Sequence, residues 1–126
     1  MSRLLPAAFL VVALALAGCV TDSRPDASAC AADSVELELT LTANALDPSD
    51  PAVCRGQRVT MVVHAETDGV IHLHGYDEQV DATPVSAGEE TTLEFTAATS
   101  GQFPIELHAA DDPRGVEVGI FTVHEP

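Results

Sequence analysis

Ser34-Val35-Glu36-Leu37-Glu38-Leu39-Thr40-Leu41-Thr42 is the stretch that decides the fold class. Val35, Leu37, Leu39 and Leu41 recur at every second position, with Glu36, Glu38, Thr40 and Thr42 between them. Side chains of a strand alternate between its two faces, so this period of two builds one apolar and one wet face. A helix would scatter the same four apolar positions around its surface. Downstream, Asn44 to Pro51 with Asp47-Pro48 and Asp50-Pro51 is a loop that no helix or inner strand could contain. Ala52–Arg55 reads as a short strand, and Gly56 allows a tight turn into the strand Arg58–His64. Glu66-Thr67-Asp68-Gly69 is turn chemistry, followed by a strand from Val70 to His74 that Gly75 ends. A turn over Ser86–Glu90 leads to the strand Thr91–Thr96, with Leu93 and Phe95 on one side. Phe103, Ile105 and Leu107 then alternate with Pro104, Glu106 and His108, and the last strand, Val116 to His124, turns Phe121 and Val123 inward. About six to eight strands at short spacing, with no amphipathic helix beyond the leader, predict an all-β sandwich or small barrel. A single sheet would leave its apolar face in water. Pro104 sits within a strand pattern and predicts an edge position or a bulge there.

N-terminal to these strands the chain changes character. Met1-Ser2-Arg3 is a short positive start, and residues 4–17 carry no charge. That run is short of the roughly 20 apolar residues that span a bilayer, and it reads as a secretory signal. Leu16-Ala17-Gly18-Cys19 resembles the lipobox of bacterial lipoproteins at all four positions. The resemblance implies cleavage before Cys19, acylation of its thiol, and anchoring to the bacterial cell envelope on the extracytoplasmic side. A plain secreted protein with Cys19 incidental, or an uncleaved membrane anchor, is the alternative. Residues 1–18 are then the signal, 19–33 a lipidated flexible tether rich in Ala, Ser and Asp, and 34–126 the single domain. Cys30 and Cys54 remain as an even pair in an oxidising compartment and predict a disulfide. Closing a loop of about 25 residues contributes roughly 3 kcal/mol in the chain-entropy model.

Charge excludes several functions. Five Lys+Arg, all of them arginine, stand against 20 Asp+Glu, a formal net charge of -15. Without Arg3 the mature part holds four arginines and 20 acids, or -16. Nucleic acid is therefore not a partner, since phosphate contacts need cations this chain lacks, and a polybasic grip on anionic lipid is equally absent. With no lysine there is no Schiff base. Neither a Gly-x-Ser-x-Gly elbow nor a phosphate-cradling glycine loop occurs, so no catalytic residue is assigned.

The order of the strand motifs resembles the cupredoxins. Gly56-Gln57-Arg58-Val59-Thr60-Met61-Val62-Val63 is similar to their Gly-Asp-x-Val-Thr-hydrophobic strand, and His72-Leu73-His74-Gly75-Tyr76-Asp77 to a His-rich strand end. Ala87–Thr96, then Gly101–His108, resemble the approach to the metal loop, and Gly119–Val123 the closing strand. The likeness covers about residues 52–124 and implies a Greek-key β-sandwich with a metal pole where these strands end. Blue-copper members need two histidines, a thiolate and usually an axial methionine. Here Leu107 falls at the cysteine position, Gly69 where the first histidine is often found, and Gly115-Val116-Glu117-Val118-Gly119 replaces the methionine segment. Met61 belongs to a core strand. A type 1 site is not expected.

Five histidines, at 64, 72, 74, 108 and 124, are left. His72 and His74 are two apart on a strand, so both rings leave one face. By the family topology His108 ends a strand near them, and Asp77, Glu78, Asp111 and Asp112 offer oxygens. Three imidazoles with an open position suit type 2 copper or zinc, and copper is the favoured ion. His64 and His124 read as ordinary surface residues. His72-x-His74 followed by Glu78 also matches the centre of the cupin motif His-x-His-x(3)-Glu, although the flanking glycine and the second cupin motif depart from that family. Three functions are thus carried forward: a metal-binding accessory lipoprotein, a metal-free interaction domain, and a small cupin-like metalloenzyme.

Overall fold

The structure, a computed structural model, describes residues 25–126. The leader, Cys19 and the first part of the tether lie outside the described residues. Among the described residues no helix is long and apolar enough to cross a membrane. The strands are β1 (Ser34–Leu41), β2 (Leu46–Asp47), β3 (Ala52–Cys54), β4 (Arg58–Ala65), β5 (Gly69–Leu73), β6 (Thr83–Val85), β7 (Glu90–Thr96), β8 (Gly101–His108) and β9 (Val116–His124). They form a four-stranded sheet in the order β2-β1-β4-β7 and a five-stranded sheet in the order β3-β9-β8-β5-β6. β1 runs parallel to β4 and β3 parallel to β9; the other pairings are antiparallel. The all-β, two-layered architecture is the one the period of two demanded.

Alternation explains the core. Leu39 and Leu41 of β1, Met61 and Val63 of β4, and Leu93 and Phe95 of β7 face Ile71, Leu73, Ile105, Leu107, Phe121 and Val123 of the other sheet, all buried. Each such side chain contributes about 1.5–3 kcal/mol on leaving water. Tyr76, after β5, packs its ring 5.0 Å from Phe95, 4.9 Å from Phe103 and 5.9 Å from Phe121, and its hydroxyl donates to Thr99 O. The chain has no tryptophan, and these four rings supply the bulk at the centre.

Three local features differ from the sequence pattern. β2 is a short strand within a segment that reads as loop, β6 is a short strand the sequence pattern did not mark, and each lies at a sheet edge, where Pro84 of β6 is tolerated. Pro104 is in β8, an interior strand, so of the two expected placements, an edge or a bulge, the edge does not apply. The pairing of β8 with β9 slips between Ile105 and Glu106, one residue from the proline, so a bulge does stand beside it. Pro104 has no N–H to give, but its carbonyl accepts the His74 N–H at 3.0 Å.

Cys30 and Cys54 form the disulfide, with Cα atoms 5.4 Å apart. A single 3₁₀ turn over Ala29–Ala31 precedes β1. Gln57, a buried polar residue, accepts the Cys54 N–H at 2.8 Å and donates to Ala29 O at 2.8 Å and Ala32 O at 2.9 Å. From Ala29 onward the segment before β1 is therefore fastened to the domain by one covalent bond, the two Gln57 hydrogen bonds and a third from Arg58 N–H to Asp33 O.

Candidate metal centre

β5 and β8 lie side by side with Val70 opposite His108, Ile71 opposite Leu107, His72 opposite Glu106 and Leu73 opposite Ile105. Ile71, Leu73, Ile105 and Leu107 point into the core, which sends His72, Glu106 and His108 to the outer face of the five-stranded sheet. His74 continues the alternation past the end of β5. The three predicted histidines are thus brought together, on the flank of a sheet rather than at the pole the resemblance implied. Ring centroids of His72 and His74 are 4.3 Å apart, and those of His72 and His108 are 6.4 Å apart.

A carboxylate that the sequence did not single out joins them. Glu106 Oε2 lies 2.9 Å from His74 Nε2 and 3.3 Å from His108 Nε2. His74 Nε2 is shut off from solvent, and Glu106 is its close neighbour. His108 Nδ1 is 3.4 Å from Pro113 O, which orients the ring with Nε2 on the Glu106 side. His72 Nε2 turns instead to Asp77 Oδ1 at 2.5 Å. Glu78 is not the carboxylate that meets the histidines; it lines a neighbouring groove with Tyr76, Gln79 and Thr99.

The carboxylates register this company. The hydrogen bond with His74 is the main influence holding Glu106 below the usual glutamate range; burial opposes it, and the charges that His74, His108 and His72 carry when protonated add smaller contributions in the same direction as the bond. The hydrogen bond from His72 likewise lowers Asp77. Gly115, with φ +73°, lets the loop pass over His108: a Cβ there would stand 2.7–3.0 Å from the ring. A glycine is required at this position on both counts.

The remaining histidines are elsewhere. His64 is on the outer face of the four-stranded sheet between Glu38 and Glu90, its nitrogens 2.5 and 3.5 Å from their oxygens. His124 ends β9 opposite Cys54, half-buried, with an Nε2 that lacks a partner. The positions aligned with the blue-copper ligands are filled by packing. A Cβ on Gly69 would meet Leu107 Cδ1 and His108 O, both at 2.8 Å, so Leu107 closes over Gly69 where a histidine and a cysteine would have to stand.

Among the described residues no group of three or more His, Cys, Asp or Glu side chains stands ready as a metal cage. The donor chemistry nevertheless fits a borderline divalent ion. Imidazole nitrogens and a carboxylate suit Cu(II) and Zn, and the three histidines and Glu106 stand together on this face.

No protein-family model and no curated relative matches the chain. Solved structures do. The metal-binding domain of the Streptococcus pneumoniae Cu(I)-exporting P-type ATPase CopA aligns with a TM-score of 0.56 at 16% identity, over 74% of this chain and 88% of that one. Auracyanin from Roseiflexus castenholzii aligns with a TM-score of 0.52 at 20% identity, over 73% and 98%. A blue copper oxidase from Nitrosomonas europaea gives 0.58 at 18%, over 73% of this chain but 39% of that one. The fold is therefore a cupredoxin-like β-sandwich, as the sequence motifs implied.

Proposed function

We propose that this chain is a lipid-anchored, extracytoplasmic accessory protein that binds a metal ion, copper being favoured, through His72, His74 and His108. One observation carries the reading: three imidazoles share one face at two adjacent strands, with the His72 ring centroid 4.3 Å from that of His74 and 6.4 Å from that of His108. Neutral imidazole is the commonest transition-metal ligand and favours copper among the divalent ions. The fold supports the choice, since neighbours that share it are named for Cu(I) or blue copper. Leu107 packed on Gly69 argues against a type 1 electron-transfer centre. Leu16-Ala17-Gly18-Cys19 supports the anchor, and no step of catalysis is assigned.

Titration of the full chain in detergent with Cu(II) and with Zn(II), by chelator competition, tests the proposal. One equivalent of Cu(II) is expected, with affinity reduced about tenfold or more in His72→Ala/His74→Ala and only weak visible absorption. Uptake that is equal in the variant would reduce the patch to a solvated surface and leave a metal-free interaction domain. An intense blue band would mean that a thiolate is a ligand and that the cysteines are misassigned. The anchor is tested separately by Cys19→Ser, which should move the protein from the membrane fraction to the soluble one.

A further inference from the structure

We infer that Glu106 is a ligand of the same site, and that the site takes Cu(II) in preference to Cu(I); this rests on the metal-binding reading above. Two ligands held about 2.0–2.1 Å from one ion at angles of about 90–110° are about 2.8–3.4 Å apart. The separations of Glu106 Oε2 from His74 Nε2 and His108 Nε2, 2.9 and 3.3 Å, fall on the edges of such a polyhedron. An ion pair has the same length, and the variants below separate the two. Pro113 O orients His108 as a second-shell carbonyl does, with Nε2 turned to the shared carboxylate. Glu106 thus stands where it can compensate the charge of a divalent ion, beside Asp77 on the adjoining turn.

The oxidation-state preference follows from what the face lacks. Thiolate and thioether ligands select Cu(I), whereas imidazole and carboxylate suit divalent ions. Among the described residues Met61 is wholly buried between the sheets, and Cys30 and Cys54 are joined to each other. No sulfur donor of the described residues is therefore available to this face.

The test measures Cu(II) and, anaerobically, Cu(I) affinity of the full chain against chelators specific for each state, in wild type, Glu106→Gln, Glu106→Asp and His74→Ala/His108→Ala. Glu106→Gln keeps the size of the side chain, and its melting temperature confirms folding. We expect Cu(II) affinity to fall about tenfold or more in Glu106→Gln, to recover in part in Glu106→Asp, and to exceed Cu(I) affinity at the histidine site of the wild type. Electron paramagnetic resonance of the Cu(II) form should change in Glu106→Gln. Cu(II) affinity unchanged in Glu106→Gln, or Cu(I) bound as tightly as Cu(II) through the same histidines, would overturn this inference while sparing the metal-binding reading. Uptake independent of His74 and His108 would overturn both.

Discussion

Leu107 over Gly69 is the contact that separates this chain from a blue-copper protein, and its energy can be measured. Leu107, next to the last residue of β8, is 2% exposed. Its truncation to alanine removes a full core side chain, for which about 2–5 kcal/mol is usual, so about 3 kcal/mol is expected. For a domain of this size that lowers the melting temperature by about 12–24 °C. Gly69→Ala adds a Cβ that must stand 2.8 Å from both Leu107 Cδ1 and His108 O, which costs about 1–3 kcal/mol as overpacking. In the double variant the leucine methyl is gone and only the carbonyl clash remains. The second substitution should therefore cost less in the Leu107→Ala background, a coupling of about 0.5–1.5 kcal/mol. Guanidinium denaturation followed by fluorescence of Tyr76, the sole tyrosine, reports the cycle. Additivity within about 0.3 kcal/mol would show that the two residues do not fill one space, and would refute the account of the vacated pole.

Three further outcomes are expected. Gly115→Ala, which changes no donor, should push the His108 ring aside and weaken Cu(II) binding; unchanged affinity would mean the ring is not held by this loop. Gln57→Ala leaves the buried Cys54 N–H unpaired and frees Ala29 and Ala32, so it should cost about 1–3 kcal/mol and speed amide exchange in that segment; exchange unchanged at Ala29–Ala32 would contradict the fastening. Glu106 is held below its ordinary value in the folded state, so in metal-free protein its contribution is present above the unfolded value of about 4.3 and is lost as pH falls through the folded value. The stability gap between wild type and Glu106→Gln should close on acidification below about pH 4, and a gap that widens there would reverse the sign of the argument.

Local periodicity made the layers legible, because Leu37, Leu39 and Leu41 need no knowledge of their partners to declare a face. Cys30 and Cys54 were legible from redox context alone. β2 and β6 were not, since two or three residues carry no period and exist as strands only through their neighbours. Pro104 was legible as a disturbance, an edge or a bulge, but only the strand order shows that it is a bulge inside the sheet. The site divides in the same way. His72 and His74 share a face by spacing alone, whereas His108 joins them only through the pairing of β5 with β8, which the family resemblance supplied. Glu106 was overlooked because an acid in an alternating strand reads as a solvated residue. The available signal was that Glu106 shares the outward parity of His108 and falls opposite His72 once the strands are paired.

Anomalous scattering from crystals of the protein grown with one equivalent of Cu(II) tests the central claim most directly. The account places a single copper peak on the outer face of the five-stranded sheet, within bonding distance of the His74 and His108 imidazoles. A peak between Gly69 and Leu107 at the pole, or none bonded to these histidines, would contradict it.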